Sequence, residues 1–201
     1  MTQGLPFWWA MGTCNHGIAL TQQGDLAEGI SQIRQGLAVY RASGATIGIT
    51  RVLGWLAEAC GQAGQIEEGF QVLAEAFTLV EQNGERLWEA ELYRRKGELT
   101  LQQFNVQRSR FNVTDPRPLA ADLRAEAEAC FLKAIDIARQ QQAKLWELRA
   151  AVSLCRLWQQ QGEQKKAHLL LAEIYDWFTE GLDTTDLQEA KTLLSVLADA
   201  A

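Results

Sequence analysis

Residues 144–162, KLWELRAAVSLCRLWQQQG, decide the fold because three related segments precede them. A basic residue followed by Leu-Trp-Glu occurs at residues 86–89, and Ile47-Gly48 and Phe7-Trp8 take the same place further upstream. A segment that recurs at a regular interval is typical of a supersecondary unit repeated along the chain. The sequence therefore predicts about four copies of one helix–turn–helix unit.

Glycines measure the period of these units. Two series of glycines recur at a spacing of about 40 residues: Gly4, Gly44 and Gly84, and Gly24 and Gly64. The fourth unit fits when Trp88 is aligned with Trp146, a step of about 58 residues, which is one period plus an insertion of roughly 18 residues. The same step predicts a glycine at position 162, where Gly162 is found. Agreement at independent positions supports a true internal repeat.

Each unit is predicted to contain two helices, A and B, separated by glycine turns. The A helices are predicted at 7–22, 47–62, 87–102 and 145–160, with one period between the first three starts and the longer step before the last. The B helices are predicted at 26–41, 66–82, 124–140 and 164–178. A single domain, 1–201, is thus divided into units at about 4–43, 44–83, 84–141 and 142–180, followed by a capping helix at 184–200.

The capping helix is predicted from one apolar stripe, Leu187, Ala190, Leu194 and Leu197, with polar residues on the other side. Thr185 and Gln188 have the spacing of a capping box. We expect this helix to cover the open face of the last repeat.

Composition excludes several classes of function. The formal net charge of −6 argues against a nucleic-acid partner or an anionic membrane surface, because both need an excess of Lys and Arg. No apolar run approaches the roughly 18 residues that span a bilayer. The four cysteines are far apart in sequence and fall mostly at apolar helix positions, which favours reduced thiols and a cytoplasmic protein. The first basic residue is Arg34, so the charged start of a signal peptide is missing.

A pattern of small, large and small residues recurs in three B helices: Gly29, Ile33 and Gly36; Gly69, Leu73 and Ala76; Ala127, Phe131 and Ala134. The A helices share a small residue at one slot: Gly17, Ala57, Gly97 and Cys155. The pattern resembles tetratricopeptide repeats, and that resemblance implies an all-α, right-handed superhelix of about four hairpins. The period of about 40 exceeds the usual 34 of that family, and its recurring proline is missing, so HEAT-type helix pairs are the alternative.

Longer phrases resemble the C-terminal repeat region of large bacterial signalling proteins that join a nucleotide cyclase or DNA-binding domain to an ATPase. These phrases are GQAGQIEEGF, ERLWEAELYRRKGELTL, AEAEACFLKAIDIARQQQAKLWELRAAVSL and DWFTEGLDTTDLQEAKTLL. The resemblance implies a regulatory module and carries over no catalytic residue. A longer parent protein would carry the cyclase or ATPase domain.

The insertion at 104–123 contains Phe104 and Phe111, each followed by Asn-Val, and three arginines. We expect a mobile surface loop whose removal leaves the fold intact. Two phenylalanines in a loop keep open a docking role.

No arrangement of residues predicts catalysis, a cofactor or a metal site, so the chain is not expected to be an enzyme. His16 and Cys14 are two residues apart and point in different directions on a helix. His16 takes the slot of Leu56 and Leu154, which predicts a partly buried structural histidine.

The concave face of tetratricopeptide arrays is lined by A helices, and the resemblance implies a groove here. Its candidate residues are Arg51, Trp55, Glu58, Arg94, Glu98, Arg149 and Arg156, with the amides Gln62, Gln102 and Gln160. The amides can hydrogen-bond an extended peptide or can equally be solvated helix ends.

Equal slots in successive repeats would put Glu91 beside Arg51 and Arg149, and Glu98 beside Arg156. We expect these charges to pair, which leaves Arg94 to contact an acidic group of a partner.

The function predicted is a protein-interaction or regulatory scaffold that binds a peptide, a protein segment or a neighbouring domain. The alternative is a repeat domain that senses a small inducer, which an enclosed apolar pocket would favour. Trp8 and Trp9 lie near the chain start without a polar cap, so we expect an upstream helix or a second copy, as in a homodimer, to cover this edge.

Overall fold

A computed structural model describes residues 4–111 and 118–199 of the chain. These residues form α-helices and no strand, which confirms the predicted all-α class. The helices are α1 (Gly4–Gln22), α2 (Leu26–Ala42), α3 (Ile49–Gln62), α4 (Ile66–Asn83), α5 (Glu89–Phe111), α6 (Pro118–Gln140), α7 (Lys144–Gln160), α8 (Gln164–Tyr175) and α9 (Thr185–Asp199).

The turns after α1, α3 and α7 have the same hydrogen-bonded geometry. Gly64 has a φ of 76° and lets the chain reverse, so that Gln65 N–H donates to the carbonyl of Cys60 at 2.8 Å. This is a bond from the residue after the glycine back to the last helical turn, and the other two turns repeat it. Glycine is suited to this position because it enters the left-handed region without a steric penalty.

The ends of the A helices follow the repeat more closely than their starts. Gln22, Gln62 and Gln160 end their helices as the glycine spacing predicts. The starts of α3 and α5 are separated by one period, but α1 begins at Gly4 and α7 at Lys144, earlier than the repeat requires. The predicted spacing of the starts therefore holds between α3 and α5, each of which begins two residues after its predicted start, and is wrong for α1; α7 begins one residue before its predicted start.

The chain forms two compact units, Met1–Arg95 and Lys96–Ala201, which divide within α5. In the first unit, α3 packs against α1, α2 and α4, and the rings of Phe77 and Tyr93 are 4.7 Å apart. In the second unit, α7 packs against α6, α8 and α9.

Small residues allow each A helix to approach its B helix closely. A Cβ atom added to Gly17 would lie 2.7 Å from the carbonyl oxygen of Gly29 and 2.8 Å from a side-chain atom of Ile33. One added to Gly97 would lie 2.5 Å from the ring of Phe131. All members of the small–large–small pattern are buried, so the pattern marks the packing surface of each hairpin.

The sequence predicts a loop at 104–123, and this prediction is wrong for the part of the segment that the structure describes. The helix α5 continues to Phe111, and α6 begins at Pro118, so both helices extend into the insertion. Residues 103–111 contain no glycine or proline to stop α5, and proline is well tolerated at the first position of a helix. Phe104 is buried rather than exposed. The segment between the two helices lies outside the described residues.

The capping helix α9 differs from its prediction in detail. Its buried stripe contains Leu193 rather than Leu194, which is only half-buried. Thr185 is the first helical residue, and the side-chain amide of Gln188 donates to the carbonyl of Leu182, so the predicted capping box is wrong. The preceding helix α8 ends at Tyr175, before the predicted residue 178.

In the described ranges, every helix is too short or too polar to cross a lipid bilayer.

Candidate functional site

The candidate groove residues of the first unit follow one face of α3. Arg51, Trp55, Glu58 and Gln62 are spaced at helical intervals, and all four are at least partly accessible. We call these four residues the α3 stripe.

Arg51 connects the α3 stripe to α1. Its Nη2 donates to Oδ1 of Asn15 at 2.7 Å and lies 3.8 Å from the sulfur of Met11. Its guanidinium is 6.0 Å from the ring centroid of Trp88, just before α5. The side chain is therefore held between neighbouring A helices rather than extended into solvent.

A cluster of four charges connects the α3 stripe to α5. Nε of Arg95 donates to Oε2 of Glu58 at 2.7 Å, and the Arg95 guanidinium lies 4.5 Å from the ring centroid of Trp55. Arg94 donates to both oxygens of Glu91, at 3.0 and 3.1 Å, and lies 3.8 Å from Glu58. Glu91 and Arg95 are almost fully buried, with 1% and 2% of their surface exposed. Two positive and two negative charges compensate one another, as buried charges require.

This cluster corrects the predicted charge assignment. The sequence predicts an uncommitted Arg94, but this residue pairs with Glu91 and Glu58. It also predicts that Arg51 pairs with Glu91, whereas the hydrogen-bond acceptor of Arg51 is Asn15. The reason is local: Glu91 has arginines three and four residues ahead of it on its own helix, which bring opposite charges together.

In the second unit, α9 supplies acidic partners to α7. Arg149 donates two hydrogen bonds to Asp186, at 2.9 and 2.8 Å. Arg156 pairs with Glu189 and not, as predicted, with Glu98, which instead accepts a hydrogen bond of 2.9 Å from Ser153. The helix α9 thus contacts α7 through charge as well as through its apolar stripe.

Polar side chains that pair between neighbouring A helices are separated in sequence by about one helical turn less than the repeat period. Arg51 follows Asn15 by 36 positions, and Arg95 follows Glu58 by 37, so both separations are shorter than one period. In the second unit Ser153 follows Glu98 by 55 positions, which is shorter than the step between Trp88 and Trp146. The closest polar contacts therefore join positions about one turn short of equal slots, although Arg51 also touches Met11 at its own slot, and this displacement is why slot alignment assigned the wrong partners.

The glutamines of the predicted amide row differ in their exposure to solvent. Gln62 and Gln160 are exposed, whereas Gln102 is half-buried. Its Oε1 atom is buried and has no hydrogen-bond partner among the described residues. The exposed amides are available to a partner, and Gln102 is not equivalent to them.

The described residues offer no nucleophile with an activating base. His16 is exposed, so the predicted partly buried histidine is wrong, because α1 lacks the covering that buries Leu56 on α3. The four cysteines are free and buried, and burial raises the pKa of Cys14 and Cys60 to about 11 and of Cys155 to about 12. Thiols with raised pKa values are poor nucleophiles.

One further ion cluster joins α6 and α7. Glu147 is buried and accepts hydrogen bonds from Arg139 at 2.7 Å and from Lys144 at 2.8 Å. Burial alone would raise the pKa of Glu147, but the two cationic donors outweigh it and lower that pKa. The cluster therefore stabilises the helix junction in its ionised form. Within the described parts of the chain, no three His, Cys, Asp or Glu side chains are grouped as metal ligands would be.

The described residues define a class: an all-helical protein in which polar side chains join neighbouring helices within each compact unit. No protein-family model matches the sequence. No curated protein matches it significantly either. The functional conclusion therefore depends on the residues themselves.

Proposed function

We propose that this chain is a non-catalytic interaction module of a bacterial signalling protein, and that it binds a peptide or protein segment along the α3 stripe. As part of the same proposal, the chain folds as a right-handed superhelix of tetratricopeptide-like hairpins. The buried small–large–small pattern and the recurring glycine turns support that fold. A cytoplasmic location belongs to the same proposal and is supported by four free, buried thiols.

The observation that carries the proposal is the preorganisation of the α3 stripe. Arg51 is held by Asn15, and Glu58 is held by Arg95, so their side chains lose little conformational entropy when a partner binds. Trp55 offers a partly exposed aromatic surface between them. Gln62 adds a donor and an acceptor that an extended backbone can use. Aromatic, charged and amide groups on one rigid helix face are suited to peptide recognition.

The experiment is a selection of peptides from a random display library on the immobilised protein. The selected peptides are then titrated against Gln62→Ala and Trp55→Leu by isothermal calorimetry. We expect each substitution to weaken binding at least about tenfold, because each removes a direct contact. Gln71→Ala, an exposed glutamine on α4, is the matched control and should leave the affinity unchanged.

Two outcomes would overturn the proposal. One is that no peptide binds the folded protein more tightly than it binds a scrambled sequence. The other is that the α3 variants bind as tightly as wild type, or that Gln71→Ala weakens binding equally.

Sensing of a small ligand is the second candidate function, and one observation favours it. Nη1 of Arg95 is buried and has no hydrogen-bond partner among the described residues. A Cβ atom added to Gly54 would lie 3.0 Å from this nitrogen. A side chain at position 54 would therefore crowd the Arg95 donor, and the glycine avoids this. A small carboxylic acid could accept this bond. The test is whether such acids raise the midpoint temperature of thermal unfolding. A rise that is lost in Arg95→Lys, and that no peptide produces, would favour the sensor over the peptide-binding module.

A further inference from the structure

Arg51 is the cation of the α3 stripe, and its contacts within the described residues are all to uncharged groups. Its Nη2 donates to the amide oxygen of Asn15 and lies near the sulfur of Met11, and the guanidinium lies 6.0 Å from the ring centroid of Trp88. Its Nε and Nη1 atoms make no hydrogen bond in the described ranges, and neither is a buried donor, so both reach solvent. A guanidinium in this state is suited to an anionic group of a ligand.

The other charge of the α3 stripe is already compensated. Glu58 accepts a hydrogen bond from Arg95 at 2.7 Å and lies 3.8 Å from Arg94. Both arginines also contact Glu91, so the four charges of this cluster sum to zero. The positive charge of Arg51 is therefore the net charge that the stripe presents to a partner.

The acidic residues next to α5 do not compensate this charge. Glu85 accepts a hydrogen bond from the hydroxyl of Thr50 at 3.0 Å, and Glu89 pairs with Arg86 at 3.0 Å. In the described part of the chain, neither carboxylate forms an ion pair with Arg51.

The second unit shows which group an arginine in this slot binds. Arg149 occupies in α7 the slot that Arg51 occupies in α3, and it donates two hydrogen bonds to Asp186, 37 positions later. The residue at the same distance after Arg51 is Trp88, which presents a ring to the guanidinium in place of a carboxylate. Among the described residues, the first unit thus retains the arginine without the acid.

We propose that the partner supplies this acid: the segment that binds the α3 stripe carries an aspartate or glutamate whose side-chain carboxylate pairs with Arg51. This inference rests on the proposed function and names the chemistry of its partner. We expect a side chain rather than a chain terminus, because Asp186 is the acid that the chain itself presents to this slot. The net charge of −6 opposes a strongly acidic segment, so we expect one acid and not a run of acids.

Helix geometry also sets the spacing of the partner's contacts. Trp55 lies about 6 Å along α3 from Arg51, and Gln62 lies about 16 Å from it, at about 1.5 Å per residue. An extended chain advances about 3.3 Å per residue. We therefore expect the residue that packs on Trp55 about two positions from the acid, and the backbone that reaches Gln62 about five positions from it.

The same peptide selection, performed on wild type and on Arg51→Gln, tests the inference. We expect the wild-type protein to enrich peptides with Asp or Glu and a large apolar residue about two positions away. Selection on Arg51→Gln should lose the enrichment of acids. Arg34→Gln removes the same charge from α2, where the arginine pairs with Glu68, and this control should retain the enrichment. Circular dichroism checks that both variants fold as the wild type does.

A change in the peptide tests the same pair without altering the protein. Exchanging the acid of a selected peptide for the corresponding amide should weaken binding to wild type at least about tenfold, measured by isothermal calorimetry. The exchange should leave binding to Arg51→Gln unchanged, because the pair is already broken there. Amidation of the peptide's C-terminus should have no effect on either protein.

This inference and the proposed function fail separately. Peptides that depend on Trp55 and Gln62 but show no preference for acids would overturn the inference and leave peptide binding intact. The same preference on Arg51→Gln, or its loss in Arg34→Gln, would also overturn it. An effect of C-terminal amidation as large as that of exchanging the acid would overturn the choice of a side chain. Absence of any binding peptide would overturn both proposals.

Discussion

Arg149 on α7 donates two parallel hydrogen bonds to Asp186 on α9, from Nε at 2.9 Å and from Nη2 at 2.8 Å. Two-point contact fixes the orientation of both side chains. Asp186 also lies in the first turn of α9, where a negative charge is favourable to the helix dipole. The capping helix is therefore attached to α7 by a directed ion pair in addition to its apolar stripe.

Asp186→Asn tests this attachment. We expect the free energy of unfolding to fall by about 1 kcal/mol, because both groups are partly exposed and their pairing is screened by water. For a chain of this size the midpoint of thermal unfolding should fall by about 2–4 °C. Glu180→Gln, a neutralised carboxylate on the exposed segment before α9, should show no change. An equal shift in both variants would mean that net charge, and not the ion pair, is responsible.

Two glycines on α1 should respond in opposite ways to the same substitution. Gly17→Ala puts a methyl group 2.7 Å from the backbone of Gly29, which cannot move without shifting α2, so we expect a loss of about 1–3 kcal/mol. Gly12→Ala meets open space and should raise stability by up to about 1 kcal/mol, because alanine is the better helix former. Urea unfolding of both variants measures the difference. If Gly17→Ala were as stable as wild type, the close approach of α1 and α2 would be wrong.

The insertion contains one residue that the fold requires. Phe104 is buried and its ring lies 4.4 Å from the guanidinium of Arg124. Phe104→Ala should lower the free energy of unfolding by about 3 kcal/mol, because it leaves a cavity between α5 and α6. Val106→Ala, two residues later on the exposed side, should cost less than about 1 kcal/mol. A deletion that spares Phe104 is now the appropriate test of whether the rest of the insertion is dispensable.

The sequence predicted the positions of the helices better than it predicted which charged side chains pair between them. Glycine turns fix the ends of α1, α3 and α7 because left-handed backbone is a local requirement that the residue type itself satisfies. The pairing of Arg95 with Glu58 was missed because it depends on how far neighbouring helices are displaced along their axes. Nothing in a repeat period specifies that displacement. The pairing of Glu91 with Arg94 could have been found, since their spacing of three is itself a helical signal.

Stability should fall at alkaline pH because of the buried thiols. Burial raises the pKa of Cys155 from its ordinary 9.0 to about 12. Below pH 9 the thiol is protonated in both states, so its contribution is fully present. As the pH rises further, the unfolded chain loses the proton and the folded chain keeps it. The free energy of unfolding then falls by up to about 1.4 kcal/mol per pH unit for this thiol, until the pH approaches its folded pKa.

Urea unfolding at a series of alkaline pH values measures this loss, and Cys155→Ala is the variant that isolates it. The free energy of unfolding of this variant should depend less steeply on pH than that of the wild type. Cys14 and Cys60 contribute equally to the pH dependence of both proteins. A thiol reagent should label the cysteines only after unfolding. Identical pH dependence in the variant and the wild type would contradict the assignment to Cys155.

The buried charge cluster should be far more sensitive than the exposed ion pairs of the same unit. Glu91 is almost fully buried and pairs with both Arg94 and Arg95. Glu91→Ala removes one of the two carboxylates that Arg94 and Arg95 contact in the cluster. We expect a loss of about 3 kcal/mol, because most of the cost is the uncompensated buried charge.

Arg41→Ala is the matched comparison for Glu91→Ala. Arg41 pairs with Glu75 at 2.6 Å, a separation as short as those in the cluster, but the two side chains are 47% and 41% exposed. Its loss should cost no more than about 1 kcal/mol, since water replaces the lost partner. Urea unfolding of the two variants therefore separates burial from distance as the cause. Equal costs would show that the cluster around Glu91 is accessible to water.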